Sequence, residues 1–326
     1  MWKAKRFSTR GFLLLLVFML IAMVAPVQAQ EKYPTRAITV ICPFTPGGGT
    51  DNSARILAPF LQKKWGVPVN VLNKPGGNTI PAQLEVYNSP PDGYTIYADG
   101  QPTSTLVVVK DLPFKIMDRT FIGGIFSHPN MLLVETNSPY KSMNDVIADA
   151  RKDPTNFSWG SLGGVGGTDL ISRQFLKAIG VDYAKTKPVM AKGGLEVLTL
   201  AAGGHVKTAW ATPIAALPLI TAGNLRALAI SSKERNPRFP DVPTTAELGY
   251  PNANFIFWVG LSGPPKIPAY IVEVWDKTLK EVGKDPEYVA QANKVGSLIF
   301  PLNAKEMEAY LAKELKEVSD LFEVKR

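Results

Sequence analysis

Short apolar runs alternate with longer segments of helical period along most of this chain, and this alternation limits the fold more than any other feature. It is typical of an α/β protein with largely parallel sheets. The pattern predicts strands at residues 37–43, 67–72, 94–98, 131–135, 157–160, 206–210, 225–231 and 255–261. It predicts helices at 51–65, 80–87, 143–151, 168–179, 269–282 and 304–322.

The first 29 residues read as a secretory signal peptide. Four basic residues precede an uninterrupted apolar run of 14 residues, Phe12 to Ala25. This run is short for a bilayer span, and Val27-Gln28-Ala29 has small residues where a signal peptidase cleaves. We expect cleavage after Ala29 and a periplasmic location. An uncleaved membrane anchor is the alternative.

Charge and cysteine content narrow the classes of partner. The formal net charge of +8 falls to +4 once the four basic residues of the signal peptide are removed. No dense block of Lys and Arg is interleaved with aromatic residues, so the sequence gives little support for nucleic-acid binding. The one cysteine, Cys42, lies in an apolar run, and we expect it to be buried.

Two glycine-rich loops, Pro46–Asp51 and Gly160–Asp169, each lie between a predicted strand and a predicted helix. Open α/β sheets bind ligands at such junctions. The first turn of a helix has unpaired backbone N–H groups and a partial positive charge, which suit a carboxylate or a phosphate. Thr50 or Asp51 is a candidate cap for the helix after the first loop. A tight turn followed by a cap is the simpler interpretation of either loop alone.

Motifs for other chemistry are absent or incomplete. The first loop has no Gly-Lys-Ser/Thr ending, and Asp169 stands where the last glycine of a dinucleotide motif belongs. Neither histidine, His128 or His205, has metal-ligand spacing, so no metal and no cofactor is indicated. Ser161 lies in Trp159-Gly160-Ser161-Leu162-Gly163, where a nucleophile elbow would need glycine at position 159. A hydrolase or lyase that uses Ser161 with Asp51 or Asp169 remains as a minor alternative.

Aromatic residues lie near several predicted strand ends, namely Trp159, Trp210, Phe257 and Trp258. Burial in a core is the default expectation for each of them. One or two of them are candidates for the wall of a ligand cavity.

An ordered set of motifs resembles a known family. It includes Pro43-Phe44-x-x-Gly47-Gly48-Gly49-Thr50-Asp51, Asn73-Lys74-Pro75-Gly76-Gly77 and Pro91-Asp92-Gly93-Tyr94-Thr95, followed by Lys192-Gly193-Gly194, Ala202-Gly203-Gly204-His205-Val206, Gly223-Asn224-Leu225-Arg226-Ala227-Leu228-Ala229 and Pro240-Asp241-Val242-Pro243-Thr244. In this order the motifs resemble the Bug-type solute receptors of tripartite tricarboxylate transporters. The resemblance covers essentially the whole chain after residue 29.

The resemblance implies a periplasmic-binding-protein fold of type II, with two lobes and a ligand cleft between them. Lobe 1 would comprise residues 30–130 and 252–326, and lobe 2 residues 131–251. The renewed alternation after residue 130 independently suggests one interrupted lobe. Such a receptor is expected to be a monomer, to need no cofactor, and to close around a small carboxylate. A membrane permease with a large and a small subunit would then receive the ligand.

The resemblance also implies a set of ligand-binding residues. In lobe 1 they are Phe44, Thr45, Pro46, Gly47, Gly48, Thr50, Asp51 and Gln101. In lobe 2 they are Ser161, Leu162, Gly163, Gly166, Gly167, Thr168, Asp169 and Thr212. This chain departs from many relatives at Asp169, whose carboxylate would repel a ligand carboxylate unless a donor intervenes. A receptor that reports its ligand to a signalling partner is the main alternative function.

Overall fold

The structure is a computed structural model that describes residues 32–109, 111–164, 166–251, 253 and 256–322. The predicted signal peptide, residues 1–29, lies outside the described residues. Within them, no helix combines the length and the apolar character needed to cross a membrane.

The strands are β1 (Ile38–Cys42), β2 (Val69–Asn73), β3 (Thr95–Gly100), β4 (Thr120–Pro129), β5 (Met131–Glu135), β6 (Ser158–Ser161), β7 (Lys187–Met190), β8 (Ala209–Ala211), β9 (Leu225–Ile230), β10 (Ile256–Gly263) and β11 (Leu298–Ile299). Every strand predicted from the sequence is present, with its ends shifted by up to three residues. The prediction missed β4 and β11 and did not define β7.

The helices are α1 (Gly49–Trp65), α2 (Ile80–Tyr87), α3 (Pro102–Thr105), α4 (Met143–Lys152), α5 (Gly167–Ala178), α6 (Gly194–Ala202), α7 (Pro213–Thr221), α8 (Ala269–Val282), α9 (Pro286–Lys294) and α10 (Ala304–Leu321). The six helices with predicted bounds are confirmed. Because α7 is apolar on all sides and contains Pro218, its sequence shows no helical period.

The expectation of largely parallel sheets is wrong. A six-stranded sheet has the order β11-β4-β10-β3-β1-β2, and only the β1–β2 and β1–β3 pairs in it are parallel. A three-stranded sheet, β8-β5-β9, is antiparallel, and the β6–β7 pair is parallel. The physical reason is that β4 and β10 connect the two halves of the molecule and run against their neighbours.

These sheets form an α/β fold with two lobes. The six-stranded sheet takes its strands from residues 38–129 and 256–299, and the other two sheets take theirs from residues 131–230. A parallel bridge between Trp159 and Thr208 joins the β6–β7 pair to the chain just before β8. Asn130 lies between β4 and β5, at the first change of sheet. The predicted lobe boundaries at 130 and 252 stay predictions.

Strand β4 escaped prediction because Gly123 and Gly124 resemble a turn in the sequence. In the structure they serve close packing, since a Cβ at Gly124 would collide with the carbonyl oxygen of Phe300. A Cβ at Gly123 would lie 2.9 Å from the Leu279 side chain. Glycine therefore lets β4 pass beneath the chain segment that precedes α10.

Apolar cores cover the sheets of both lobes. In lobe 2, Trp159 and Phe175 are buried in one cluster, and Val197 and Leu198 are buried in another on the opposite side of the strands. In lobe 1, Trp258 packs with Met307 and Leu311 of α10. Cys42 is buried as expected, and burial raises the pKa of its thiol to about 12.

A buried ion pair links β3 to β4 and β10. Arg119 and Asp99 are each about 1% exposed at their side chains, and Nη1 lies 2.9 Å from Oδ2. Asp99 also accepts hydrogen bonds from Ser262, Thr103 and the backbone N–H of Gly100. The pair thereby fixes the end of β3, directly before the chain reaches Gln101 and α3.

His128 is a second buried polar group, near the end of β4. Its Nε2 lies 3.0 Å from the Ser53 hydroxyl, and its Nδ1 lies 2.9 Å from the Ser297 hydroxyl. Burial lowers the pKa of His128 to about 3, because charging the ring away from water is unfavourable.

Replacing Asp99 with Ala should lower the free energy of unfolding by about 3–5 kcal/mol, because Arg119 would keep a buried charge without its partner. Denaturant unfolding measures the change. The matched control is Glu281→Ala, which breaks an exposed pair with Lys64 and should have a far smaller effect. Equal losses in the two variants would contradict this role of the buried pair.

His128 should make the protein less stable in mild acid. Below pH 6.5 the unfolded chain binds a proton at this ring, whereas the folded ring stays neutral down to about pH 3. Stability due to His128 is therefore complete above pH 6.5 and falls by about 3 kcal/mol between pH 6.5 and 4. Unfolding curves of the wild type and of His128→Gln at several pH values should diverge by this amount. Parallel pH profiles would refute the assignment.

Candidate functional site

A cavity of about 390 Å³ lies where loops of the two lobes face each other. Its size is at the lower end of the range of about 300–1,000 Å³ that is usual for small-molecule sites. Of the predicted site residues, those on its wall are Phe44, Thr45, Gly48, Thr50, Leu162, Gly166, Gly167, Thr168 and Thr212. The two predicted loops, which are more than 100 residues apart in the chain, therefore meet at one cavity.

Four helices begin at this cavity. The residues that immediately precede α1, α5, α6 and α7 are Gly48, Gly166, Gly193 and Thr212, and all four line the wall. None of them caps its helix with a side-chain hydrogen bond. The first-turn N–H groups have no acceptor within their helices, and each helix carries a partial positive charge at this end. The cavity is therefore suited to a negatively charged group.

The first loop is held from behind by Asp51. Its carboxylate accepts hydrogen bonds from the Gly47 N–H at 2.9 Å, the Asn73 amide at 2.7 Å and Arg55 Nε at 3.0 Å. Burial raises the pKa of Asp51, but these hydrogen bonds outweigh burial and hold the pKa below its usual value. The expectation that Thr50 or Asp51 caps α1 is wrong, because the helix begins two residues earlier and Gly48 occupies the cap position.

The second loop is held in the same way by Asp169. Its carboxylate accepts a hydrogen bond from the Ser161 hydroxyl and from the N–H groups of Leu162, Gly164 and Gly166. Gly163 and Gly164 have φ values of +93° and +91°, a conformation that favours glycine. The Asp169 carboxylate is thus directed into its own loop. The donors of that loop surround it, so its negative charge is balanced there.

The remaining predicted site residues lie behind the wall. Besides Asp51 and Asp169 they are Pro46, Gly47, Gln101, Ser161 and Gly163. Gln101 is 2% exposed, and within the described residues neither atom of its amide has a hydrogen-bond partner. Its side chain packs against Gly167, where a Cβ would lie 2.6 Å from the amide oxygen. A direct ligand contact by these seven residues stays a prediction.

Thr212 is one of the buried polar residues on the wall. It is 6% exposed, and within the described part of the chain its hydroxyl has no hydrogen-bond partner. A Cβ at Gly49 would lie 3.0 Å from this hydroxyl, so the start of α1 approaches the start of α7 closely. The hydroxyl is therefore available to a ligand beside two helix N-termini.

Two of the four candidate aromatic residues belong to the wall. Phe257 and Trp210 line the cavity, whereas Trp159 and Trp258 are buried in the cores. Phe257 lies beside the first residues of both α1 and α5, since a Cβ at Gly49 or at Gly167 would be within 4 Å of its ring. The apolar wall is completed by residues such as Phe44, Leu162 and Ile171.

The site prediction missed two further loops. Pro75–Thr79, after β2, and Ala191–Gly194, after β7, also line the cavity. The signal was present, since each loop has a Gly-Gly pair after a strand, as the first two loops do. Asn78 and Thr79 have φ values of +50° and +68°, so the first of these loops also holds two non-glycine residues in a strained conformation.

The geometry gives no support to Ser161 as a nucleophile. Its hydroxyl is buried and donates to Asp169, and it also accepts the Gly163 N–H. His128 is hydrogen bonded to Ser53 and Ser297 in lobe 1. Ser161 and Asp169 together act as part of the loop scaffold.

Replacing Asp169 with Ala should destabilise the protein by about 3–5 kcal/mol and disorder the second loop, because three N–H groups and a hydroxyl lose their acceptor. Unfolding curves and amide hydrogen exchange of residues 161–169 measure these effects. Asp182→Ala is the matched control, because Asp182 accepts one exposed N–H, from Ala184. Unchanged exchange in the Asp169 variant would contradict the scaffold role.

Comparison with known proteins agrees with this architecture. Residues 53–325 match the model of a family described as tripartite tricarboxylate transporter family receptor. A Cupriavidus necator protein named "UPF0065 protein in gbd 5'region" is 31% identical over 301 residues, which cover 91% of this chain and 90% of the relative. BugT of Bordetella pertussis is 28% identical and covers 94% of this chain and 95% of its own.

A solved structure, "R. palustris Rpa4515 with adipate", has a TM-score of 0.83 and 26% identity, covering 89% of this chain and 98% of the other. The family match spans most of the sequence and all the elements that form the cavity except the first loop. The chain belongs to the Bug-type receptor family of tripartite tricarboxylate transporters, whose members are solute-binding proteins with the two-lobed periplasmic-binding-protein fold.

Proposed function

We propose that this receptor binds a small carboxylate in the cavity between its lobes and makes no covalent change to it. The observation that carries the proposal is the convergence of four helix N-termini on one cavity. Among the described residues of the wall there is no Asp or Glu. A carboxylate would accept hydrogen bonds from first-turn N–H groups that have no acceptor within their own helices.

The wall residues are proposed to contact the ligand, and the residues behind them to position the loops. Thr45, Thr168 and Thr212 would donate through their hydroxyls, and the glycines would let the ligand approach the backbone. Asp51 and Asp169 would act indirectly, by holding the loops at fixed positions. The adipate named with the R. palustris structure supports a carboxylate as the ligand class.

Lobe 1 is proposed to comprise residues 30–130 and 252–326, and lobe 2 residues 131–251. Closure about the crossings near 130 and 252 would bury the ligand, and ligand contacts with both lobes would favour the closed form. Phe257 and Asn130 line the cavity next to these crossings, so the ligand would lie close to the hinge.

We also propose that the receptor works outside the cytoplasmic membrane and delivers its ligand to a permease. Export by the signal peptide, with cleavage after Ala29, would place the mature chain in the periplasm as a monomer. A permease with a large and a small membrane subunit would recognise the closed form and accept the ligand. The family match supports delivery to a transporter over the alternative of a sensor.

Replacing Thr212 with Val should weaken carboxylate binding about tenfold to hundredfold, because one donor to a charged group is lost. The melting temperature of the ligand-free protein should not fall, since no side-chain cap bond is lost. A thermal-shift screen of residues 30–326 against small carboxylates and their amides would identify a ligand, and calorimetry would give the dissociation constants.

The control is Thr199→Val on α6, whose exposed hydroxyl bonds the Leu195 carbonyl oxygen away from the cavity. It should bind like the wild type. At a hundredfold excess over the dissociation constant, a carboxylate should stabilise the wild type by about 2.7 kcal/mol. A screen in which no acid binds would refute the proposed function, and equal affinities for wild type and Thr212→Val would refute the role of Thr212.

A further inference from the structure

Two segments of lobe 1 lie against the start of α7, which belongs to lobe 2. A Cβ at Gly49, the first residue of α1, would lie 3.0 Å from the Thr212 hydroxyl. A Cβ at Gly296, between α9 and β11, would lie 2.7 Å from the Cβ of Pro213. Pro213 is the first residue of α7 and directly follows Thr212, so both segments contact the same helix start.

A hydrogen bond between the lobes adds to this contact. Asn236 is 4% exposed, and its side-chain amide donates to the Gly296 carbonyl oxygen at 3.0 Å. The Asn236 side chain also accepts the backbone N–H of Arg238, which fixes its orientation. Gly296 has a φ of +71°, and a Cβ there would meet Pro213 and Phe239. The segment before β11 therefore packs closely against lobe 2.

His128 joins the two segments of lobe 1. Its Nε2 lies 3.0 Å from the hydroxyl of Ser53 on α1, and its Nδ1 lies 2.9 Å from the hydroxyl of Ser297, which follows Gly296. His128, Ser53 and Ser297 are fully buried, and none of them belongs to the cavity wall. Any influence of these three residues on a ligand therefore acts through the segments that they hold.

The direction of each hydrogen bond follows from Ser53. Its hydroxyl donates its one proton to the Gly49 carbonyl oxygen at 2.7 Å. The ring must therefore be the donor in the bond between His128 and Ser53, which places the ring proton on Nε2. Nδ1 is then an acceptor, and Ser297 donates to it. A neutral ring thus connects Ser297 to the first residue of α1 through a continuous chain of hydrogen bonds.

We propose that His128 is a positioning residue for the carboxylate site. It links α1 to the segment before β11, and the start of α7 packs against both. The ring thereby sets the position of the Thr212 hydroxyl relative to the first-turn N–H groups of α1. A site made of donors from two lobes binds tightly only when supporting residues hold those donors in place. This inference rests on the proposed carboxylate-binding function and adds a residue outside the wall that the site requires.

The substitutions Ser53→Ala and Ser297→Ala test this role, because each removes one hydrogen bond of His128 and leaves the wall residues unchanged. The probe is the acid that binds the wild type most tightly in the thermal-shift screen. By calorimetry, each variant should bind it about threefold to tenfold more weakly. The double variant should lose less than the product of the two factors, because both hydrogen bonds act through one ring.

The ring tautomer provides a readout that needs no ligand. Nuclear magnetic resonance of isotope-labelled protein at neutral pH should show the His128 proton on Nε2. The sequence contains two histidines, so His205→Gln identifies the signals of His128. A proton on Nδ1 would reverse the hydrogen bonds and would contradict the link to Gly49.

Thr278→Val is the matched control for the two serine variants. It removes a buried hydroxyl of lobe 1 that accepts a hydrogen bond from Trp65 Nε1 at 3.0 Å, at the other end of α1. This variant should have a lower melting temperature and the dissociation constant of the wild type.

Two results would show that the inference is wrong while the carboxylate-binding function stands. In one, the serine variants melt at a lower temperature but bind the acid like the wild type. In the other, their effects on the dissociation constant multiply independently in the double variant. If no acid binds the wild type, the proposed function fails and the inference fails with it.

Discussion

The site depends on two buried carboxylates that hold glycine-rich loops in place. Asp51 accepts hydrogen bonds from Gly47, Asn73 and Arg55, and Asp169 accepts them from three N–H groups and Ser161. A loop that contains several glycines loses much conformational entropy on folding, and multiple bonds to one ionised group offset that cost. With the loops fixed, α1 and α5 begin at defined positions and their unpaired N–H groups face one cavity.

This arrangement explains how two acidic residues can lie close to a cavity suited to a negatively charged group. Each carboxylate lies behind the cavity wall and accepts hydrogen bonds from N–H groups of its own loop. Its negative charge is therefore balanced mainly by that loop. The partial positive charges of four helix N-termini act on the cavity itself. Lys192, also on the wall, adds a full positive charge. Positive charge at the cavity therefore comes from backbone dipoles and from one side chain.

The mixed sheet in lobe 1 places the cavity next to the points where the chain crosses between the sheets. Strand β10 runs antiparallel to both β3 and β4, and β4 and β10 carry the chain between the sheets, next to Asn130 and Phe257. The buried pair of Asp99 and Arg119 and the buried ring of His128 tie these strands to β3, α1 and the segment before β11.

The sequence by itself determined the α/β class, most strands and helices, the burial of Cys42, and the two loops that form half of the site. These features follow from local periodicity and from glycine after a strand, which act over a few residues. Only the tertiary structure decided that the loops after β2 and β7 join the same cavity, because sheet order and strand direction are set by packing. It also decided that Asp51, Asp169 and Ser161 face their own loops, since the direction of a side chain depends on backbone turns that the residue types alone do not specify. The sequence prediction missed strand β4 because its glycines are required by contacts with Phe300 and Leu279, which are far away in the chain.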